Sequence, residues 1–313
     1  MEKDDRILVT GHRGLVGSAV VRKMTDCGYS AILTADRVDC DLRNTQEVNY
    51  LVQIFKPAYV VNCAGKVGGI NANSTNGGEF VYDNIMMQTN IIEACRLFGV
   101  KKLLFLGSSC IYPRDCPQPI KEEYLMTSPL EKSNVGYALA KITGLTMCEL
   151  YRKQYGCNFI SCMPTNLYGI NDNFNLQTSH VIPSIIHKLY NAKKEHLSFV
   201  EFWGTGTPMR EFMFVDDLAD AVVFLMNNYD EHGHINVGTG EDMTIKEAVN
   251  IIADIVGYEG AIVFNANSLD GTPRKLLDVT KLHALGWKHK TTFKTGIEIT
   301  YKWFVENQGH IRL

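Results

Sequence analysis

The stretch Ile7-Leu8-Val9-Thr10-Gly11-His12-Arg13-Gly14-Leu15-Val16-Gly17 decides the fold. A short apolar run leads into three glycines spaced Gly-x-x-Gly-x-x-Gly, and apolar residues at helical spacing follow as far as Met24. Strand, glycine loop and helix in that order predict a dinucleotide-binding turn. The glycines let the backbone turn tightly and approach a pyrophosphate, and the helix N-terminus supplies amide donors at the positive end of its dipole. The spacing departs from the commoner Gly-x-Gly-x-x-Gly, so the reading rests on position, directly after the first strand and before the first helix.

Further along, Ala31–Leu33, Tyr59–Val61, Leu103–Leu106 and Phe159–Cys162 are short apolar runs separated by helix-length stretches such as Asn84–Leu97. Strands alternating with helices predict βαβ units with right-handed crossovers, hence an α/β fold with a doubly wound parallel sheet of the Rossmann type. From about Pro164 onward Asn, Gly and Pro become frequent and the alternation stops. Residues 1–165 are expected to form the dinucleotide-binding domain, with some later segments returning to it. Residues 166–313 are expected to form a smaller, mainly substrate-binding region.

The 313 residues are 45% apolar and 21% charged, with a formal net charge of −3. That balance excludes a disordered chain and leaves no basic field to attract nucleic acid or an anionic membrane. No apolar run approaches the ~20 residues of a spanning helix. Nine cysteines, an odd number without a Cys-x-x-Cys pair, point to reduced thiols. Charged residues from Met1 to Arg6 run straight into the first strand, so no signal peptide is expected and a cytoplasmic location is. His232-Gly233-His234 has no further ligands at sensible spacing, so no metal is expected.

Cofactor choice turns on the end of the second strand, where Asp36 and Arg37 stand. An acidic side chain there binds the ribose 2′-hydroxyl of NAD, whereas arginine accommodates the 2′-phosphate of NADP. Arg13 offers a second guanidinium for that phosphate. The expectation is NADP, clamped by Arg13 and Arg37 with Asp36 turned outward.

Tyr137 and Lys141 stand i, i+4 at the start of a helical stretch that runs to about Tyr155, which puts phenol and ammonium on one face. A nearby cation lowers a phenol's pKa and makes it a workable proton donor or acceptor. Tyr190 and Lys194 repeat the spacing, so context must separate the two pairs. Tyr137 follows the loop Gly107-Ser108-Ser109-Cys110-Ile111-Tyr112-Pro113 at the carboxyl edge of the sheet, where ligands bind. Ser108 is placed to donate to the same carbonyl oxygen that Tyr137 protonates. Tyr190 lacks such a partner loop and reads as an ordinary helix residue.

Glycine loop, serine loop and Tyr-x-x-x-Lys together resemble the extended short-chain dehydrogenase/reductases that act on nucleotide sugars. Ala64-Gly65-Lys66-Val67-Gly68-Gly69-Ile70, Met163 to Gly169, Trp203 to Phe212 and Asp270 to Lys275 narrow the resemblance to the GDP-L-fucose synthase family, from near Ile7 to about Gln308. The resemblance implies an NADP-dependent epimerisation of GDP-4-keto-6-deoxy-D-mannose at C3 and C5, followed by hydride reduction at C4 to GDP-L-fucose. It makes Cys110 the base and His180 the acid of the epimerisation. Ser108, Tyr137 and Lys141 would serve the reduction, with NADPH as hydride donor. It also places Lys141, Pro164, Thr165, Asn166, Leu167 and His180 beside the cofactor, and Lys188, Trp203, Arg210 and Asp270 on the substrate. A homodimer through Asn84–Leu97 and Ala138–Tyr155 is implied in the same way.

The chemistry suits these residue types. The C4 ketone acidifies the protons on C3 and C5, because the resulting carbanion delocalises as an enolate. Each inversion then needs one group to remove a proton and another to return one from the opposite face. A nucleotide-sugar 4,6-dehydratase would carry carboxylates in the serine loop, yet no Asp or Glu follows Cys110 until Asp115. A 4-epimerase would have no need of the Cys110/His180 pair. A non-enzymatic cofactor-binding regulator would not need both Tyr137 and Lys141.

Overall fold

The computed structural model describes residues 1–266 and 270–311. Strands β1 (Ile7–Thr10), β2 (Ile32–Leu33), β3 (Tyr59–Asn62), β4 (Lys102–Leu106) and β5 (Phe159–Pro164) are interleaved with helices α1 (Leu15–Asp26), α2 (Thr45–Phe55), α3 (Ile70–Thr75), α4 (Gly77–Leu97) and α5 (Val135–Tyr155). There follow β6 (Asn166–Tyr168), α6 (Val181–Lys194), β7 (Phe199–Trp203), β8 (Met209–Arg210), β9 (Phe212–Phe214), α7 (Val215–Asn228) and β10 (His234–Val237). The chain ends with β11 (Met243–Thr244), α8 (Ile245–Val256), β12 (Ala261–Asn265), β13 (Arg274–Lys275), α9 (Thr280–Ala284) and α10 (Phe293–Glu306).

The main sheet is parallel, in the order β10-β5-β4-β3-β1-β2. This is the doubly wound arrangement expected from the sequence. Its sixth strand arrives from far down the chain, with His234–Val237 registered against Ser161–Pro164 of β5. Helix α2 was not singled out by apolar spacing. Its start is marked instead by Asn44, whose side chain accepts from the Gln46 and Glu47 amides.

Successive strand residues face opposite sides of a sheet. Ile7 and Val9 join the core of α1 and α7 with Val20, Met24, Leu218 and Val222. Leu8, between them, joins the core of α2 and α4 with Val48, Val52, Ile91 and Ile92. Both faces are covered, which is why the strands read as unbroken apolar runs. Each such side chain contributes ~2 kcal/mol on burial. A third core, with Phe174, Ile186, Phe202, Val249 and Phe304, lies among α6, α8 and α10.

Two features position the site. The chain reverses direction beside β1, since β2 lies on one side of it and β3 on the other, and the cleft opens at their carboxyl ends. Thr10 Oγ1 ties those ends together, donating to Asn62 Oδ1 at 2.7 Å and accepting from the Ala64 amide at 3.3 Å. Helix α5 meanwhile docks through Gly144, where a Cβ would stand 2.5 Å from Phe105 Cζ and 2.9 Å from Gln88 Cδ. That close approach lays the first turns of α5 over the end of β4.

Candidate active site

The glycine loop is built as a cradle. Gly11 has φ +66°, and a Cβ on it would stand 2.9 Å from the Ala64 backbone. A Cβ on Gly17 would stand 2.2 Å from the Gly11 carbonyl oxygen, so the first turn of α1 rests directly on the loop. Gly14 is the N-cap of α1, which leaves the first-turn amides of Leu15, Val16 and Gly17 without partners inside the helix. These features fit a dinucleotide pyrophosphate.

One expectation about the adenosine end needs correction. Asp36 is not turned outward: its carboxylate takes a hydrogen-bonded ion pair from Arg13 and lies 3.4 Å from His12 Nε2. Two cationic or donor groups from the glycine loop outweigh its solvation and draw it in. Arg13 itself stays mostly exposed, and Arg37 is exposed with Nε 3.8 Å from Asp41.

Ser108 closes β4 and caps the short turn Ser109–Ile111, accepting from the Cys110 amide at 3.2 Å. Tyr137, on the first turn of α5, is buried and hydrogen-bonded to Ser108. Lys141, one turn on, is also buried and donates to the Leu106 carbonyl at 2.8 Å. The electrostatics differ from the expected pattern. Burial pushes the Tyr137 phenol well up, charge on Cys110 adds to this, and the Ser108 hydrogen bond only partly offsets it. Lys141 Nζ lies 5.8 Å from the Tyr137 ring centre, and burial pulls its own pKa down to about 8. The surroundings of Tyr137 therefore favour its protonated form, and Lys141 is not among the groups that shift it.

Cys110 is half-buried beside this pair. Burial raises a thiol's pKa, but here it is outweighed. Lys275, with Nζ 3.6 Å from Sγ, and hydrogen bonds from Ser108, Lys275 and Asn134 bring Cys110 below the ordinary thiol value. Asn134 is the N-cap of α5, so the helix start that presents Tyr137 also presents a donor to the sulfur.

His180 is the N-cap of α6. The Gly69 amide donates to the Thr178 carbonyl at 3.0 Å, and a Cβ on Gly69 would stand 2.8 Å from the Ser179 carbonyl oxygen. The loop carrying His180 is thus pressed onto the loop that follows β3. Its ring is open to solvent yet walled by protein, and that surround lowers its pKa. Thr165 and Asn166, at the end of β5, are held by Glu211: Thr165 Oγ1 and Asn166 Nδ2 donate to its carbonyl at 3.3 and 2.9 Å. Pro164 ends β5 and Leu167 lies in β6.

The remaining candidates divide. Arg210 is drawn down by burial and feels both Asp270 and Cys110, so this cation and the sulfur share one neighbourhood. Asp270 accepts from the Thr205 amide at 3.0 Å and from its hydroxyl at 2.7 Å, beside the strongly exposed Trp203 at the end of β7. Lys188 donates to the Glu201 carbonyl at 2.9 Å and lies 5.3 Å from the Phe202 ring centre. It lines a hollow with Leu176 and Phe199 that contains neither Cys110 nor Tyr137. Tyr190 stacks edge-on against Phe304, as an ordinary helix residue would.

Residues 7–238 match the family described as NAD dependent epimerase/dehydratase. A putative GDP-L-fucose synthase 2 of Arabidopsis thaliana is 49% identical over 98% of this chain and 94% of its own. A GDP-L-fucose synthase of Escherichia coli K12 is 46% identical over 98% of each. The chain belongs to the NAD dependent epimerase/dehydratase family, among the GDP-L-fucose synthases. A GDP-L-fucose synthetase from Naegleria fowleri, bound to NADP, superposes with a TM-score of 0.94 at 31% identity, covering 100% of this chain and 98% of that one.

In this member of the GDP-L-fucose synthase family, sequence reasoning missed Lys275, Asn134 and Glu211. Lys275 stands 165 positions from Cys110, and the tertiary pairing of β13 with β8 and of Leu277 with Ile120 brings them together. Asn134 was legible as a polar residue just before a helix. Glu211 is fully buried, and its carboxylate accepts from the Thr239, Gly240 and Leu277 amides at 2.6, 2.8 and 3.0 Å. An acidic residue between Arg210 and Phe212 gave no sign of that role.

Proposed function

We propose that the chain converts GDP-4-keto-6-deoxy-D-mannose to GDP-L-fucose, epimerising C3 and C5 and then reducing C4 with NADP as its cofactor. The observation that carries the reading is the grouping of Cys110, Ser108 and Tyr137 with Lys275 at the end of β4. A pure reductase or dehydratase has no use for a thiol whose ionised form is stabilised beside the oxyanion donors.

Each side chain then has a step. Ser108 and Tyr137 hold the C4 oxygen, which is a ketone at the start, an enolate during each inversion and an alkoxide at the end. Donors preorganised for that oxygen serve every step. Cys110 takes the proton from C3 or C5 and His180 returns one to the opposite face. NADPH, when bound, supplies the hydride for C4. Tyr137, kept protonated by burial, gives its proton to the C4 oxygen in that reduction. Arg210 binds a substrate phosphate oxygen, and Asp270, Trp203 and Lys188 frame the nucleotide and sugar. Arg13 and Arg37 take the 2′-phosphate of the cofactor.

The test is to mix the protein with GDP-4-keto-6-deoxy-D-mannose and follow NADPH and NADH separately. NADPH loss with GDP-L-fucose as product is expected. An unepimerised 6-deoxyhexose as product would leave the reductase and remove Cys110 and His180 from the scheme.

Residues 166–313 would supply most of the substrate side, with β10 returning to the sheet. A cytoplasmic homodimer is part of the same reading. No described helix is long and apolar enough to cross a membrane. Val135, Leu139 and Leu150 lie exposed along one face of α5, and Tyr82 and Leu97 are exposed on α4, which packs beside it. Two such helices per subunit would bury this stripe between copies. Sedimentation equilibrium of Leu139→Glu/Leu150→Glu should give a monomer from a wild-type dimer, and a wild-type monomer at micromolar concentration would end the proposal.

A further inference from the structure

We propose that Lys275 is the positioning cation of the epimerisation chemistry: its ammonium, delivered by β13 to within 3.6 Å of Cys110 Sγ, holds that sulfur as a thiolate beside Ser108 and Asn134. The inference rests on the reaction assigned above and adds to it the group that makes a cysteine usable as a base.

The placement argues for an anionic partner. β13 runs parallel to β8 with Lys275 directly opposite Arg210. Like charges side by side on neighbouring strands repel unless an anion lies between them. Neighbouring cations have carboxylates of their own: Arg274 donates to Asp242 at 2.6 Å, and Arg210 feels Asp270. Among the described residues no carboxylate pairs with Lys275, and the group it meets is the Cys110 sulfur. A thiolate fills that role, and a neutral thiol would leave Lys275, opposite Arg210, with no anionic partner among the described residues.

The backbone on both sides of Lys275 is fixed. The Glu211 amide donates to the Lys275 carbonyl at 3.3 Å, and the buried Glu211 carboxylate accepts from the Leu277 amide at 3.0 Å. A lysine side chain loses up to ~2 kcal/mol of conformational freedom when it is held in one place. Anchoring its backbone at two points fixes where that side chain starts, so the ammonium is directed toward the sulfur.

The proton balance is simple. In each inversion a sulfur lone pair takes the proton from C3 or C5, and the C–H electron pair passes into the enolate. Cys110 becomes a thiol, and His180 releases its proton to the opposite face of the carbon. Cys110 then returns its proton to solvent, His180 takes one up, and the Lys275–Cys110 ion pair is restored. Lys275 neither gives nor takes a proton in this scheme.

Two measurements test this. Alkylation of Cys110 by iodoacetamide, read on its own peptide by mass spectrometry across a pH series, reports the thiolate directly. The wild-type profile should rise at lower pH than that of a free cysteine, Lys275→Met should move it to higher pH, and Lys275→Arg should restore it. Deuterium uptake from D2O at C3 and C5 of GDP-4-keto-6-deoxy-D-mannose, with NADP+ in place of NADPH, reads the proton transfers without reduction. Lys275→Met should slow it about 10²-fold, the scale of a general base. A Lys275→Met alkylation profile that superposes on the wild type would overturn the proposal. Alkylation needs no sugar. If wild-type protein left this sugar unlabelled while its Cys110 profile shifted as described, the reaction would be wrong and the ion pair would stand.

Discussion

The Lys141 ammonium donates to the Leu106 carbonyl at 2.8 Å, so the helix that carries Tyr137 is fastened to the last residue of the strand that presents Ser108. The bond accounts for the lysine's burial as well as its place. A charged amine survives in such a spot only with a firm acceptor.

Burial lowers Lys141 from its ordinary 10.5 to about 8, so its charge weighs against the folded state. Below pH 8 folded and unfolded chains both carry the proton, and burial costs on the order of 3 kcal/mol. Between pH 8 and 10.5 the unfolded chain binds the extra proton, so this penalty fades and stability rises with pH. Lys141→Met should therefore melt no lower than the wild type at pH 7, with an advantage that shrinks toward pH 10. Its reductive turnover should fall about 10²-fold or more. Thermal melts at both pH values and NADPH oxidation check this, and a variant that melts well below the wild type would contradict the account.

At the other end of the cleft, Asp36 competes with any phosphate for Arg13. Arg13→Ala should weaken NADP+ binding by about 10- to 100-fold, the size of one charged hydrogen bond, and leave NAD+ nearly unchanged. Asp36→Asn should do the reverse for NADP+, because it frees the guanidinium. Calorimetric titration of both nucleotides reads the difference. Equal losses for NADP+ and NAD+ in Arg13→Ala would show that the residue shapes the loop and does not read the 2′-phosphate.

Gly17 and Gly28 separate space from conformation. A Cβ on Gly17 would meet the Gly11 carbonyl at 2.2 Å, and relief would require the cradle to open. Gly28 sits at φ +81° with nothing within 4 Å. Gly28→Ala should cost about 1–2 kcal/mol of stability and leave cofactor affinity alone. Gly17→Ala should cost about 1–3 kcal/mol and abolish tight NADP+ binding. Urea denaturation with parallel nucleotide titration distinguishes them, and a Gly17→Ala protein with wild-type affinity would remove the pyrophosphate from this loop.

The first half of the fold was legible because its strands are buried on both faces. Ile7-Leu8-Val9 and Leu103 to Leu106 need apolar residues at every position, and no helix surface reads that way. The serine loop and Tyr137 stand out in sequence because each lies next to a strand or helix boundary. What could not be read is what the tertiary pairing of short strands creates. Lys275 lies in a two-residue strand, and neither its neighbours nor its spacing points to a sulfur 165 residues away. The direction of the Tyr137 shift escaped for a related reason. Sequence spacing gave the i, i+4 relation to Lys141 but not the depth of burial that overrides it.

The pH dependence of proton exchange follows from the two groups proposed to carry it. Exchange needs Cys110 ionised and His180 protonated. Activity follows the product of those two fractions, which grows with pH as the thiol ionises and shrinks as the imidazole loses its proton, giving a bell. Lys275 and the hydrogen bonds from Ser108, Lys275 and Asn134 bring Cys110 below its ordinary 9.0 against the opposing effect of burial. Desolvation by the protein walls around it brings His180 below its ordinary 6.5. Both limbs move the same way, so the optimum for deuterium uptake at C3 and C5 should lie on the acid side of the midpoint between those two values. Lys275→Met should carry it back toward alkali, because it raises the thiol and leaves the imidazole where it is. His180→Gln should remove inversion at both carbons while Cys110 can still wash protons out of the face it reaches. A bell centred above the midpoint in the wild type would mean that some other pair of groups moves the protons.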